Sequence, residues 1–260
     1  MSNQKKLQEI RDQIDLLDIR IQDLINQRAE AAKQVARIKL EEDEDTFFYR
    51  PEREAAILKK IQKRNRGPMG DEEMARLFRE IMSACLALEQ PMKIAYLGPP
   101  GTFTQAAALK HFGHSIKTVS LVSIPDVFRD VESGAAHYGV VPVENSTEGV
   151  INHTLDMFIQ SPLFICGEVS MRIHHHLLSL EPDLSTVKKV FSHQQSLAQC
   201  RLWLDRNLPH AVQINVGSNA EAARLAKSEA GAAAIAGEMA AELYQLKGLA
   251  RNIEDEPDNT

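Results

Sequence analysis

Arg28 stands where an apolar residue belongs. Apolar side chains recur at Leu7, Ile10, Ile14, Leu17, Ile21 and Leu24, then at Ala31, Val35 and Ile38. The steps alternate between three and four, which is the heptad seam of a helix that packs against others. Arg28 fills the one gap in this seam, and a charge in an apolar seam is costly unless it is paired. It either snorkels out to meet water or a structural carboxylate, or binds an anion. Lys39 lies eleven residues on, close to the same face and roughly 16 Å along the axis, so two long cationic side chains can reach one small molecule. Arg11 lies seventeen residues before Arg28, about 25 Å away, and cannot easily touch that molecule from the same helix. If Arg11 is functional, it completes the site of a second copy of the chain. Several cations with few carboxylates suit a compact dianion.

A second set of polar residues lies in three loops. Gly98-Pro99-Pro100-Gly101-Thr102 follows an apolar run and opens a helical stretch, where backbone N–H groups can bind a carboxylate or phosphate. It lacks the Gly-Lys-Ser/Thr ending of a nucleotide loop, and a plain turn reads as well. Val143-Glu144-Asn145-Ser146-Thr147-Glu148-Gly149 and Ser192-His193-Gln194-Gln195-Ser196, with Gln199 following, each come directly after a strand-like run. Each loop could serve only as a cap. Three such loops at equivalent positions favour one shared cleft beyond the carboxyl ends of strands. The run His174-His175-His176 could place two imidazoles on one strand face, yet no further ligand follows at metal spacing, so it reads as structural.

The elements that must carry these residues differ along the chain. Of 260 residues, the first 92 hold 17 of 30 Lys and Arg, 18 of 36 Asp and Glu, and only Gly67 and Gly70 of 13 glycines. Dense mixed charge with little glycine predicts solvated helices, at about 7–40, 51–64 and 71–88. Helices this unequal cannot cover the long one's apolar face, so a homodimer is expected; a passive coiled-coil arm is the plainer alternative. The acidic run at 41–45 reads as a solvated loop. A boundary falls near Gln90-Pro91-Met92. Beyond it, strands are expected at 94–97, 119–122, 138–143, 163–168, 187–191, 212–216 and 232–236. Helices are expected at 104–111, 124–133, 155–159, 196–207, 219–228 and 238–244. The alternation predicts a mainly parallel sheet in an α/β domain.

The first ninety residues resemble the all-helical chorismate mutase domain. The resemblance rests on L-x-x-I-R (Leu7, Ile10, Arg11), I-D-x-x-D (Ile14, Asp15, Asp18), Arg28, Lys39, P-E-R-E at 51–54 and I-M-S-A-C-x-A-L-E at 81–89. It implies that Arg28 and a partner-chain Arg11 hold two carboxylates and that Lys39 binds the ether oxygen. Arg53 and Glu54 fall on the family's R-E positions, with Glu54 holding the substrate hydroxyl. Arg50 stands where an acidic residue is often found, and that contact is not carried over. Cys85 takes the place of a serine that contacts substrate. Glu89 takes that of a glutamine that donates to the ether oxygen. A glutamate donates only when protonated, so its pKa should be raised or activity should fall as pH rises.

The rest is similar to prephenate dehydratase. The resemblance rests on Y-L-G-P-P-G-T-F-T-Q-A-A, V-P-V-E-N-S-T-E-G-V-I-N, I-H-H-H-L-L, F-S-H-Q-Q-S-L-A-Q-C and N-I-E-D. It implies two α/β lobes like a periplasmic binding protein, with prephenate between them. Asn145, Ser192 and Gln199 fall on functional positions, Thr102 on a substrate-binding turn, and Ser146 and Thr147 beside them. Together the resemblances imply a bifunctional enzyme of phenylalanine biosynthesis, with a mutase domain at 1–90 and a dehydratase domain at 93–260. The sequence stops at Thr260, before the family's Thr-Arg-Phe motif and regulatory domain. An incomplete dehydratase without phenylalanine feedback is therefore expected. An active mutase beside an inert dehydratase, or a non-catalytic dimeric carboxylate-binding module, are the alternatives.

Other classes recede. Net charge is -6, which does not favour nucleic acid. No run of about 18 apolar residues suggests a membrane span, and the charged start lacks a secretory h-region. Cys85, Cys166 and Cys200 are odd in number and far apart, as in a reduced cytoplasmic protein. Nothing in the sequence calls for a cofactor or a metal.

Overall fold

A computed structural model describes residues 3–42, 49–146, 149–256, 258 and 260. The expected acidic loop lies, from residue 43 on, outside the described residues, as does Thr147. The chain divides into two compact units, one comprising Met1–Met92 with Phe112–Ile116 and the other Lys93–His111 with Lys117–Thr260.

The first unit is helical. Helix α1 (Asn3–Glu42) is followed by α2 (Pro51–Arg64) and α3 (Asp71–Ala87). At 40 residues α1 is about 60 Å long. Proline at the start of α2, with Glu52 and Glu54 in its first turn and Lys63 and Arg64 in its last, suits the helix dipole at both ends. Asn65 Nδ2 ties the α2–α3 turn by donating to Met69 O and Asp71 Oδ1, both at 2.8 Å. Buried Ile61, Ala75, Met82 and Cys85 hold α2 against α3, and Ala36 of α1 is buried. The rest of the α1 seam is uncovered within the chain: Leu7, Ile14, Leu17, Ile21 and Leu24 are all close to half exposed or more. Segment 112–116 packs on α3, where the His114 amide donates to Glu80 Oε2 at 3.0 Å.

The second unit holds two sheets. In the first, β1 (Lys93–Leu97) lies between β2 (Lys117–Leu121) and β3 (Tyr138–Val140), all parallel, with α4 (Phe103–Phe112) and α5 (Ile124–Glu132) as crossovers. A two-residue pair, β4 (Glu144–Asn145) and β5 (Gly149–Val150), precedes α6 (Asn152–Gln160). The second sheet has five strands. These are β6 (His176–Ser179), β7 (Lys189–Ser192), β8 (Val212–Asn215), β9 (Ala232–Ala236) and β10 (Lys247–Ala250), in the order β10-β6-β9-β7-β8. The pairs β7–β8 and β7–β9 are parallel, while β6–β9 and β10–β6 are antiparallel. The first sheet thus matches the parallel expectation and the second is mixed. Helices α7 (Gln194–Gln199), α8 (Arg201–Asn207), α9 (Asn219–Ser228) and α10 (Glu238–Tyr244) complete the unit. Strand β9 is alanine at four of five positions and wholly buried, and the alanine-rich face of α9 packs on it. Small residues let helix and sheet approach closely.

Three expectations need correction. The apolar run at 163–168 forms no strand. It has no ladder partner among the described residues, and Phe164 and Ile165 are 93% and 69% exposed. The strand expected at 138–143 stops at Val140, because Pro142 has no N–H to continue a ladder. The helix expected at 196–207 is broken at Cys200. The Asp255 amide donates to Gln199 O at 2.7 Å, and the Asp255 carboxylate accepts from the amides of Leu202 (3.0 Å) and Trp203 (3.2 Å), restarting the helix as α8. Among the described residues no helix is long and apolar enough to cross a membrane.

Candidate functional site

In the helical unit Arg28, Lys39 and Glu89 come together. Arg28 and Lys39 are both half-buried on α1, and both charges bear on Glu89, which follows α3. Burial raises the Glu89 carboxyl above the ordinary glutamate range, and the two cations only partly offset this. Cys85, one turn before Glu89 on α3, is buried. Glu54, in the first turn of α2, is also raised by burial and partly brought back by Arg79 of α3. Arg79 Nε lies 3.7 Å from Glu54 Oε1. Arg53 is exposed beside it, and Arg11 is exposed on α1. The arrangement places two cations beside a protonatable carboxyl.

In the α/β unit the second and third loops meet, and the first is followed by Phe103, which reaches His175 and Gly237. Gly98 admits no side chain, since a Cβ there would strike Ser120 and Leu121 O; its amide donates to Leu121 O at 2.8 Å. Gly101 has φ +91°, a conformation that favours glycine, and a Cβ there would come into ordinary contact with Ala220 and Ala240, near the starts of α9 and α10. Thr102 Oγ1 donates to Leu97 O at 3.3 Å and accepts from the Gln105 amide at 3.5 Å. Phe103 carries the same loop onto the second sheet. Its ring packs against Gly237 and meets His175 edge-on, with centroids 5.8 Å apart. The second and third loops join where Gln195 Nε2 donates to Asn145 Oδ1 at 3.3 Å. Ser146 pairs with Thr260, its amide donating to Thr260 O and its Oγ accepting from the Thr260 amide, both at 3.0 Å.

Ser192 is fully buried at the end of β7. Its hydroxyl is within reach of Asn219 Oδ1 (2.9 Å) and Ile235 O (3.1 Å). Asn219, which sequence reasoning missed, brackets the whole loop: Oδ1 also accepts from the His193 amide at 3.1 Å, and Nδ2 donates to Ser196 Oγ at 2.8 Å. A capping pattern flagged its helix start. Ser218 Oγ accepts from the Glu221 amide at 3.0 Å, while Glu221 accepts from the Gly217 amide at 3.1 Å.

The His174-His175-His176 run is tied to the 252–254 stretch. His175 is 1% exposed, with Nε2 2.8 Å from Gln199 Oε1. Burial lowers its pKa and keeps the imidazole neutral. Its Nδ1 has no hydrogen-bond partner among the described residues. Glu254 accepts from the His175 amide at 2.9 Å and sits 2.8 Å from His174 Nδ1. Burial pushes the Glu254 carboxyl up, but these hydrogen bonds outweigh it and hold it below its ordinary value. His176 Nδ1 accepts from the Asn252 amide at 3.2 Å. The chain thus brings Thr102, Asn145, Gln195 and Gln199 into one region, with Ser192, Asn219 and His175 beneath them.

A helical unit with a cationic seam, followed by an α/β unit with loops gathered beyond its strands, defines a two-domain class. The chorismate mutase type II family model matches residues 10–90, and the prephenate dehydratase family model matches 94–260. The bifunctional chorismate mutase/prephenate dehydratase of Stutzerimonas stutzeri is 57% identical over 264 residues, covering 100% of this chain and 72% of that protein. The protein of the same name from Pseudomonas aeruginosa is 56% identical with the same coverage. Among solved structures, prephenate dehydratase from Arthrobacter aurescens in complex with L-Phe superposes with a TM-score of 0.59 at 33% identity, covering 64% of this chain and 57% of that one. The chain belongs to the bifunctional chorismate mutase/prephenate dehydratase family. It carries the helical mutase domain and an α/β domain with the fold of prephenate dehydratase structures. A passive coiled-coil arm is not the reading this membership favours.

Proposed function

We propose that this chain rearranges chorismate to prephenate in its helical domain, at 1–90. Prephenate is then converted to phenylpyruvate in its α/β domain, at 93–260, two consecutive steps of phenylalanine biosynthesis. The observation that carries the reading is the convergence of Arg28 and Lys39 on Glu89, a protonatable group held in reach of two cations.

The first step is pericyclic and needs neither nucleophile nor base. Arg28, with Arg11 of a second copy, selects the compact diaxial dianion by holding its two carboxylates. Lys39 and protonated Glu89 donate to the ether oxygen, where negative charge develops as the C–O bond breaks. Glu54 holds the substrate hydroxyl, Arg53 binds the substrate beside it, and Cys85 packs against the substrate.

In the second step the ring carboxylate leaves as carbon dioxide. Its electron pair enters the ring, and the ring hydroxyl takes up one proton from solvent and departs as water. Aromatisation drives the reaction, so binding and orientation are the protein's main tasks. Thr102 and its turn, with Ser146 and Thr147, bind the substrate. Asn145 and Gln199 orient the reacting groups. Ser192, buried under Asn219, acts by holding its loop rather than by contact.

The exposed apolar seam of α1 supports a homodimer that supplies Arg11 across the interface. Three cysteines far apart in the sequence, at 85, 166 and 200, fit a cytoplasmic setting. Two variants test the division of labour. Arg28→Ala should abolish chorismate loss and spare the conversion of added prephenate; Asn145→Ala should do the reverse. A variant that removes both steps without unfolding, or neither, would contradict the assignment.

A further inference from the structure

Helix α3 carries a second arginine on a buried face. Ala75, Met82 and Ser83 are buried, and Arg79 lies among them at helical spacing. Its side chain is 27% exposed, and its Nε is buried with no hydrogen-bond partner among the described residues. Glu54 Oε1 lies 3.7 Å from it, beyond hydrogen-bond range but within ion-pair range, on a side chain only 17% exposed. A shift of under 1 Å would make the bond.

The other charges nearby are engaged elsewhere. On α3, Arg76 pairs with Glu73 at 2.6 Å and Glu80 with His114 at 2.8 Å. Asp71 accepts from Asn65. On α2, Glu52 and Arg53 are exposed, and Arg64 lies over the Phe78 ring at 5.8 Å. From α1, Arg28 and Lys39 bear on Glu89. Arg79 is left facing Glu54.

We infer that Arg79 is a positioning residue of the mutase site, whose Nε–H holds the Glu54 carboxylate ionised and turned to accept the substrate hydroxyl. The inference rests on Glu54 being that acceptor. A protonated carboxyl keeps less acceptor capacity and adds a competing donor. Burial already favours the protonated form here, and the guanidinium opposes it. Arginine suits this better than lysine because its charge is permanent and its donors are fixed in direction.

The test uses the full chain with selectively labelled glutamate. The Glu54 carboxyl titration is followed by carbon NMR, assigned through Glu54→Gln, and chorismate turnover is measured against pH. In Arg79→Met the Glu54 midpoint should rise by about one pH unit, the usual loss of one close opposite charge. The acid limb of kcat/KM should move with it. Turnover should fall about tenfold on the acid side and stay near the parent value above it. Arg79→Lys should restore most of the limb. In a Glu54→Gln background, Arg79→Met should shift nothing further. An unchanged Glu54 midpoint, or an equal loss at every pH, would overturn the inference. If Arg79→Met does not fold, Arg79→Gln and Arg79→Lys give the same comparison by NMR. If the parent turns over no chorismate, the activity assignment fails, while the Glu54 midpoint still decides the role of Arg79.

Discussion

Glu89 gives the mutase an alkaline limit, which Glu89→Gln should remove. The carboxyl must be protonated to donate to the ether oxygen. Arg28 and Lys39 both pull its pKa down, yet burial outweighs them, so its midpoint stands above that of free glutamate. For a group with a raised midpoint the donor form persists to higher pH and is lost once pH passes that midpoint. Each further pH unit removes about nine-tenths of the donor, a tenfold fall in kcat. The fall should level off at the loss expected for one missing donor to developing negative charge, about 10²–10³-fold. Glutamine donates at any pH. Its profile should be flat where the parent declines, so the variant should exceed the parent at alkaline pH by roughly tenfold or more. The assay is initial chorismate loss across pH, with thermal melting measured at each point to exclude unfolding. Parent and Glu89→Gln profiles that superimpose would refute the reasoning.

Two further outcomes follow from the same structure. Mixing Arg11→Ala with Arg28→Ala chains should recover about a quarter of parental mutase activity, because half the dimers each regain one intact site; no recovery in mixed dimers shown by native mass spectrometry would exclude a shared site. Asn219→Ala removes one acceptor and one donor that together reach Ser192, His193 and Ser196, and should cost about 1–3 kcal/mol in denaturant unfolding. An unchanged midpoint would mean that the bracket is not structural.

What could be read from the residues alone depended on whether local pattern or distant partners decide the outcome. Helices α2, α9 and α10 and strand β9 run over the residues expected of them. Each is fixed by nearby signals: proline and acidic residues opening α2, serine capping α9, glycine before α10. The run at 163–168 shows the opposite case. Its composition favours a strand, but a strand also needs a neighbour, and that is a property of the sheet rather than the run. Strands β6 and β10 were missed for the same reason: their pairing is antiparallel and long-range. Arg28 was legible because one charge interrupted a regular apolar series. Arg79 carries a similar signal on α3, weaker because that helix is short and rich in charge. Asn219 looked like part of a helix start, and nothing local shows that its side chain reaches back 26 and 27 residues to His193 and Ser192. The complete burial of Ser192 was not legible, because it depends on β9 and α9, which come later in the chain.

The central claim is that one chain performs two successive conversions. Its most direct test is a time course of purified 260-residue protein with chorismate, following chorismate, prephenate and phenylpyruvate together by proton NMR. The account predicts that chorismate falls, prephenate rises and then declines, and phenylpyruvate accumulates. Chorismate unchanged at every pH, or prephenate that accumulates and is never consumed, would contradict it.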